Sequence, residues 1–286
     1  MKSNTDFNSK IITWLDEQGY PLEMRTAATL QKRGLRVFQS QYYSDPESED
    51  SREIDIVAFK QKEINDVLIR VSLVIECKLS IEKPWLLFTS NTTGLAKPAR
   101  VAQRAANILG RHYLIAICQQ DKIQGLPIWE LPERAAYGVT QGFTTGKDVC
   151  YSAVTSVSKA ALSIATEVDE KRKREKKAVK ILRRSKRICS IALPIVVVEG
   201  QLFEVFLNDR SNIEINAIEN GTLLWRNPIF GAPHTIINIV TSSGFDKFTD
   251  DAIKSIDMLL DLSEKQFSDQ LKQAIRRENR NSKRVF

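Results

Sequence analysis

The stretch VLIRVSLVIECKL, residues 67–79, decides how the chain is read. Its odd positions Val67, Ile69, Val71, Leu73, Ile75, Cys77 and Leu79 are all apolar, while the even positions from Arg70 onward are Arg70, Ser72, Val74, Glu76 and Lys78. A period of two marks a β-strand with one face in a core and the other carrying polar groups. Glu76 and Lys78 therefore share a face, and Cys77 points into the core as a small apolar residue.

Upstream, EIDIVAF (53–59) reads as a short strand with Asp55 inside it, and KQKEIND (60–66) as the polar turn joining the two strands. LRVFQSQYY (35–43) is rich in β-formers, and SDPESEDSR (44–52) is too polar for a core element. Phe7, Ile11, Ile12 and Leu15 recur at helical spacing ahead of Gly19, which predicts a helix over 6–18. A second helix, PLEMRTAATLQKRG (21–34), opens at Pro21 and closes at Gly34. Glu23 precedes Ala27 and Leu30 on one face of it, so a carboxylate is aimed at the interior.

Downstream, a loop holds KPW (83–85), whose Trp85 could stack on a flipped base or ribose but is read as a core residue. A helix follows over 99–110, then a buried strand, HYLIAIC (112–118), and residues 119–147 carry no clear pattern. From Asp148 a stripe of Val149, Ala153, Val154, Val157, Ala160, Ala161, Ile164, Ala165 and Val168 marks a long helix that runs into a basic cluster. Residues 171–187 hold eleven Lys or Arg against the single acid Glu175, in a chain whose net charge is +7. Clustered positive charge suits a polyanion, because neutralising phosphates releases counterions; a solvated helix face explains the same residues equally well. CSIALPIVVVEG and QLFEVFLN read as a hairpin about Glu199-Gly200, followed by strands in NIEINAI, GTLLW and TIINIVTS and a helical region over 249–278.

The chain of 286 residues has 42% hydrophobic and 27% charged residues, close to a globular average. No apolar run approaches the ~20 residues needed to cross a bilayer, and the N-terminus lacks an apolar signal segment, so the expected location is cytoplasmic, off the membrane. The four cysteines, at 77, 118, 150 and 189, have no metal-site spacing. With only His112 and His234 present, histidine-dependent hydrolysis is disfavoured, and any hydrolytic chemistry falls to carboxylates and a lysine. The predicted organisation is a core over 1–118 and an extension over 119–286, packed on the same domain, with a basic helix (148–187), β-hairpins and a C-terminal helix.

If the strands of 53–59 and 67–79 pair, Asp55 and Glu76 converge. Two carboxylates brought together repel, and one is driven to protonate unless a cation neutralises them. Mg²⁺ takes oxygen ligands and keeps several waters, so Asp55, Glu76 and the backbone carbonyl of Cys77 would suffice. Such an ion would activate water and offset charge on a phosphodiester. Lys78 would orient or deprotonate the attacking water, and Glu23 would assist through a water or a further ion.

The order of a helical acid (Glu23), REID (52–55) and IECK (75–78) resembles the PD-(D/E)XK nuclease superfamily. Glu23 followed by Gly-x-x-Val (34–37) is most similar to the branch of methylated-DNA restriction enzymes and Holliday junction resolvases. Glu53-Ile54 stands where the superfamily name has Pro, and Gln103 is a weak match to a glutamine motif of some branches. The resemblance covers residues 7–118. It implies an α/β fold with a restriction endonuclease-like mixed sheet flanked by helices, metal-dependent cleavage of DNA, and catalytic roles for Asp55, Glu76 and Lys78.

The expected function is a Mg²⁺-dependent DNA endonuclease, with Mn²⁺ as substitute ion, serving restriction, antiviral defence or repair. Lys171, Arg172, Lys173, Arg174, Lys177, Lys180, Arg183 and Arg184 would hold phosphates. The alternatives are a nucleic-acid-binding subunit that is inactive or licensed by a partner protein, and an RNA nuclease with the same site. A homodimer would bring two centres to the two strands of a duplex.

Overall fold

The computed structural model describes residues 2–91, 101–146, 148–178, 186–226 and 235–283. Helices α1 (Lys2–Gln18) and α2 (Tyr20–Lys32) are separated by Gly19, whose φ of 82° lies in the left-handed region that glycine adopts without strain. Then follow β1 (Arg36–Ser44), β2 (Ser51–Ile64) and β3 (Val67–Asn91). Beyond them lie β4 (Ala105–Ala106), α3 (Ile108–Ile117), the single turn α4 (Asp121–Gln124), β5 (Arg134–Gln141) and α5 (Val149–Ala178). The last elements are β6 (Arg187–Leu207), β7 (Ile213–Ala217), β8 (Asn220–Trp225), β9 (Thr235–Thr241), α6 (Phe245–Lys265) and α7 (Ser268–Lys283). The fold is mixed α/β, and among the described residues no helix is long and apolar enough to cross a membrane.

One mixed sheet organises the molecule. β1, β2 and β3 form an antiparallel meander, and β3 lies parallel to β6 from Val67↔Arg187 to Phe88↔Val205. β6 also pairs with β4, β7 and β9. The ladders β3–β5, β5–β8, β8–β9, β9–β6 and β6–β3 close into a circuit.

The period of residues 67–79 sorts side chains between two cores. Val67, Ile69, Val71, Leu73, Ile75 and Cys77 pack with Leu22, Ala27 and Leu30 of α2 and with apolar residues of α3, α6 and α7. Val74, on the opposite face, packs with Ile54, Val57, Val196 and the stripe Ala153, Val154, Val157, Ala160, Ala161 and Ala165 of α5. Helices thus cover both faces of the sheet, the arrangement open to long parallel strands with apolar residues on either side.

Several expectations are corrected. Residues 60–64 continue β2, and the turn is only Asn65-Asp66, with φ of 50° and 62°. Two successive residues at positive φ make the tight connection that matches strand twist. Residues 112–118 are mostly helix: Asn107 caps α3 by accepting a hydrogen bond from the Gly110 N–H at 2.8 Å. Of the predicted 99–110 helix, residues 99 and 100 lie outside the described residues, 101 and 102 are helical, and the rest divides between β4, the Asn107 cap and the start of α3. An apolar run this short fits a buried strand or a buried helix alike.

Glu199-Gly200 is no hairpin, because β6 runs through it. Gly200 is needed for close approach: a Cβ there would lie 2.2 Å from the Ser80 carbonyl oxygen. The C-terminal helical region divides into α6 and α7. The basic helix stops short of 187, since Arg187 begins β6. Lys180, Arg183, Arg184 and His234 lie outside the described residues.

Candidate functional site

Pairing of β2 with β3 runs from Ile64↔Val67 to Ile56↔Ile75. Beyond that point Asp55 turns its carboxylate into the fork between the strands and accepts the Cys77 N–H at 2.7 Å. The backbone around Asp55 is irregular. Ile54 packs in the α5-side core and Ile56 in the α2-side core, although two residues apart on a regular strand share a face. Ser40 of β1, between the Gln39↔Ile56 and Gln41↔Ile54 pairs, has a φ of 51°. In an extended residue N–H and C=O point to the same neighbour, so the Cys77 carbonyl faces the fork as well.

Glu76 and Lys78 project from the next face of β3 and form an ion pair, Lys78 Nζ to Glu76 Oε1 at 2.6 Å. The second oxygen of Glu76 accepts the Ser156 hydroxyl of α5 at 3.4 Å. The Ser156 carbonyl in turn accepts the Tyr43 hydroxyl at 3.4 Å. Glu23 reaches the site from the first turn of α2, which Cys77 Sγ and Thr26 Oγ1 join to β3 at 3.9 Å.

Electrostatics tie these groups together. Burial, then the negative charges of Asp55, Glu53 and Glu76 against the relief from Lys78, push the Glu23 carboxyl up to about 7. Burial raises Asp55, opposed by the Cys77 N–H and Lys78. Burial also raises Glu76, with Lys78 lowering it and Asp55 raising it. For Lys78 burial works downward, but Glu76 and Asp55 prevail and leave its pKa raised. Acids that resist ionisation beside one paired lysine define a pocket short of positive charge.

Asp55, Glu76 and the Cys77 carbonyl would offer oxygen donors alone, the chemistry of a hard divalent cation and not of a soft one, although both Glu76 oxygens are engaged here, by Lys78 and by Ser156. The Cys77 thiol faces the core, and burial drives its pKa far up, so it is neither ligand nor nucleophile at neutral pH. Among the described residues, no three Asp, Glu, His or Cys side chains gather into a metal cage. Any ion here would rest on the two carboxylates, the strand carbonyl and water.

Glu23, Asp55, Glu76 and Lys78 therefore lie within electrostatic reach of one another, with Lys78 and Glu76 in direct contact. Trp85 is fully buried, as core packing required. Gln103 lies in a turn, not on a helix. Lys171, Arg172, Lys173, Arg174 and Lys177 fall on the backbone of α5.

Sequence reasoning missed Tyr43, Ser156 and a buried ionic clasp. Asp45, with no exposed surface, pairs with Lys159 of α5 at 3.0 Å and Arg52 at 2.8 Å. It also accepts the Glu47 N–H at 2.9 Å, and Lys159 pairs with Glu47 as well. Burial alone would raise Asp45, but these donors hold it below the usual carboxylate range. The one available signal was a lone lysine amid the alanines of the α5 stripe, with an acidic loop to receive it.

No family model, curated protein or solved structure matches this chain.

Proposed function

We propose that this chain is a Mg²⁺-dependent endonuclease with a restriction endonuclease-like core, hydrolysing phosphodiester bonds of DNA. The observation that carries the reading is the Asp55 carboxylate in the β2–β3 fork, bonded to the Cys77 N–H beside the Glu76–Lys78 pair. Asp55, Glu76 and the Cys77 carbonyl would hold Mg²⁺, which when bound supplies Lewis-acid stabilisation of the phosphate and a lowered pKa for water.

The other groups have separate tasks. Lys78 Nζ, tethered to Glu76 in this state, would donate to the phosphate oxygens or orient the attacking water. Glu23, whose carboxyl burial and the neighbouring acids push up to about 7 in the ion-free pocket, would be the group placed for general acid–base assistance. Lys171 lies ~22 Å along α5 from Ser156 at 1.5 Å per residue. The basic residues of α5 would thus hold flanking duplex, which presents one phosphate per ~1.7 Å of axis.

A second reading is favoured by the closed Glu76–Lys78 pair and the lack of a three-residue cage among the described residues. In it Lys78 takes the cation's place and the chain binds nucleic acid without cutting, or cuts only with a partner protein. Incubation with supercoiled plasmid, single-stranded DNA and RNA in Mg²⁺, Mn²⁺ or chelator separates these readings. The nuclease reading expects metal-dependent nicking of DNA that Asp55→Asn and Lys78→Ala abolish. Cleavage unaffected by both substitutions refutes it, and RNA as the only substrate cleaved changes the substrate class.

A further inference from the structure

The β6–β7 hairpin ends the sheet in an open edge. Among the described residues β7 pairs only with β6, and all its residues are exposed. Their register runs from Phe203↔Ala217 to Leu207↔Ile213. The flanking bonds fix which backbone groups point where: the Asn208 N–H donates to the Asn212 carbonyl and the Ile218 N–H to the Leu202 carbonyl, each at 3.0 Å.

In an antiparallel ladder, residues that exchange hydrogen bonds alternate with residues that do not. Glu214 and Asn216 therefore direct N–H and C=O toward β6, while Ile213, Ile215 and Ala217 direct theirs to the open edge. The side chains of these three share a face with Phe203, Val205 and Leu207, where Leu207, Ile213 and Ile215 are 65%, 71% and 59% exposed. Edge strands are commonly guarded by lysine, proline or a bulge. Ile-Glu-Ile-Asn-Ala has none of these, and its one charge, Glu214, lies on the face away from the isoleucines.

We propose that this edge pairs antiparallel with β7 of a second copy of the chain, about a two-fold axis at Ile215. In that register Ile215 faces Ile215 of the partner subunit and Ile213 faces Ala217 of the partner subunit, so every outward N–H and C=O finds a mate. Glu214 then faces Asn216 of the partner subunit, a carboxylate against an amide, each also bonded within its own chain, Glu214 to Asn208 at 2.7 Å and Asn216 to Glu204 at 3.4 Å. Sliding the strands one way sets Glu214 against Glu214 of the partner subunit, a like-charge pair. Sliding them the other way leaves the outward groups of Ile213 unmatched.

The hairpin is organised in advance. Asn208 donates to Glu214 at 2.7 Å and accepts the N–H groups of Arg210 and Asn212, so pairing orders little new backbone. The exposed apolar face becomes continuous across the two copies. This surface is independent of the nuclease reading.

Sedimentation velocity of the full chain over a series reaching ~100 μM reads the association. The proposal expects a dimer that dissociates at least about tenfold more readily in Ile215→Pro, a change that removes an outward N–H unused by the β6 ladder. Residues in a hydrogen-bonded pair sit ~5.5 Å apart between Cα atoms, within disulfide range. Ile215→Cys should accordingly give a covalent dimer on oxidation and Glu214→Cys should not, with the four native cysteines buried. A monomer at every concentration, or a wild-type dimer with no cross-link through Ile215→Cys, overturns the proposal.

Discussion

Glu23→Gln isolates the electrostatic cost of the pocket. A carboxyl with a pKa of about 7 in the folded chain and 4.5 as its ordinary value binds its proton more tightly when folded. Stability from this group is therefore fully present below 4.5 and is lost as pH rises through 7. At ~1.4 kcal/mol per tenfold the gap corresponds to ~3 kcal/mol, and because Glu23 is only half-buried, solvent screening reduces it to ~1 kcal/mol. Gln keeps the shape and cannot ionise, so the variant should match wild type at pH 4.5 and exceed it by ~1 kcal/mol at pH 8. Urea titrations followed by tryptophan fluorescence at both pH values measure this. Added Mg²⁺ should narrow the pH 8 difference by neutralising Asp55 and Glu76. A variant less stable than wild type at pH 8, or a difference independent of pH, would refute the argument.

Asp55→Asn retains an oxygen that accepts the Cys77 N–H, so its melting temperature should stay near that of wild type, whereas Asp55→Ala orphans that donor and should lose ~1–3 kcal/mol in the same titration. Lys159→Met strips the buried Asp45 carboxylate of its buried cation and leaves it the half-exposed Arg52. With Arg52 left in place it should lose ~2 kcal/mol and loosen α5, read as faster amide exchange at Ser156. Asn107→Ala removes a helix cap whose side chain also bonds the Ile188 carbonyl and the Ser190 N–H, and a loss of ~2 kcal/mol is expected by thermal melting.

Where the sequence spoke clearly, it did so through periodicity. The alternation over 67–79 foretold a strand with one face in a core, because side chains on a pleated strand have no choice of face; that Val74 on the other face is buried as well, against the alanines and valines of α5, it did not foretell. The pairing of residues 53–59 with 67–79 followed from adjacency, and it brings Asp55 beside Cys77. What stayed hidden depends on contacts distant in sequence. Gly200 looks like a turn residue until Ser80 is seen pressed against it. Residues 112–118 look like a strand until Asn107 caps them. Ser156 meets Glu76, and Lys159 meets Asp45, only because α5 lies against the sheet, a packing no local pattern encodes. The fork at Asp55 was equally illegible, since it arises where the β2–β3 ladder stops, not from any residue's propensity.

Whether Asp55 and Glu76 hold a divalent ion is read by Mn²⁺ binding followed by electron paramagnetic resonance, comparing wild type with Asp55→Asn and Glu76→Gln at pH 8. Wild type should bind an ion that Mg²⁺ displaces, and each variant should bind it at least about tenfold more weakly while keeping the fold. Equal binding by all three proteins, or none by wild type, would contradict a metal site at these carboxylates.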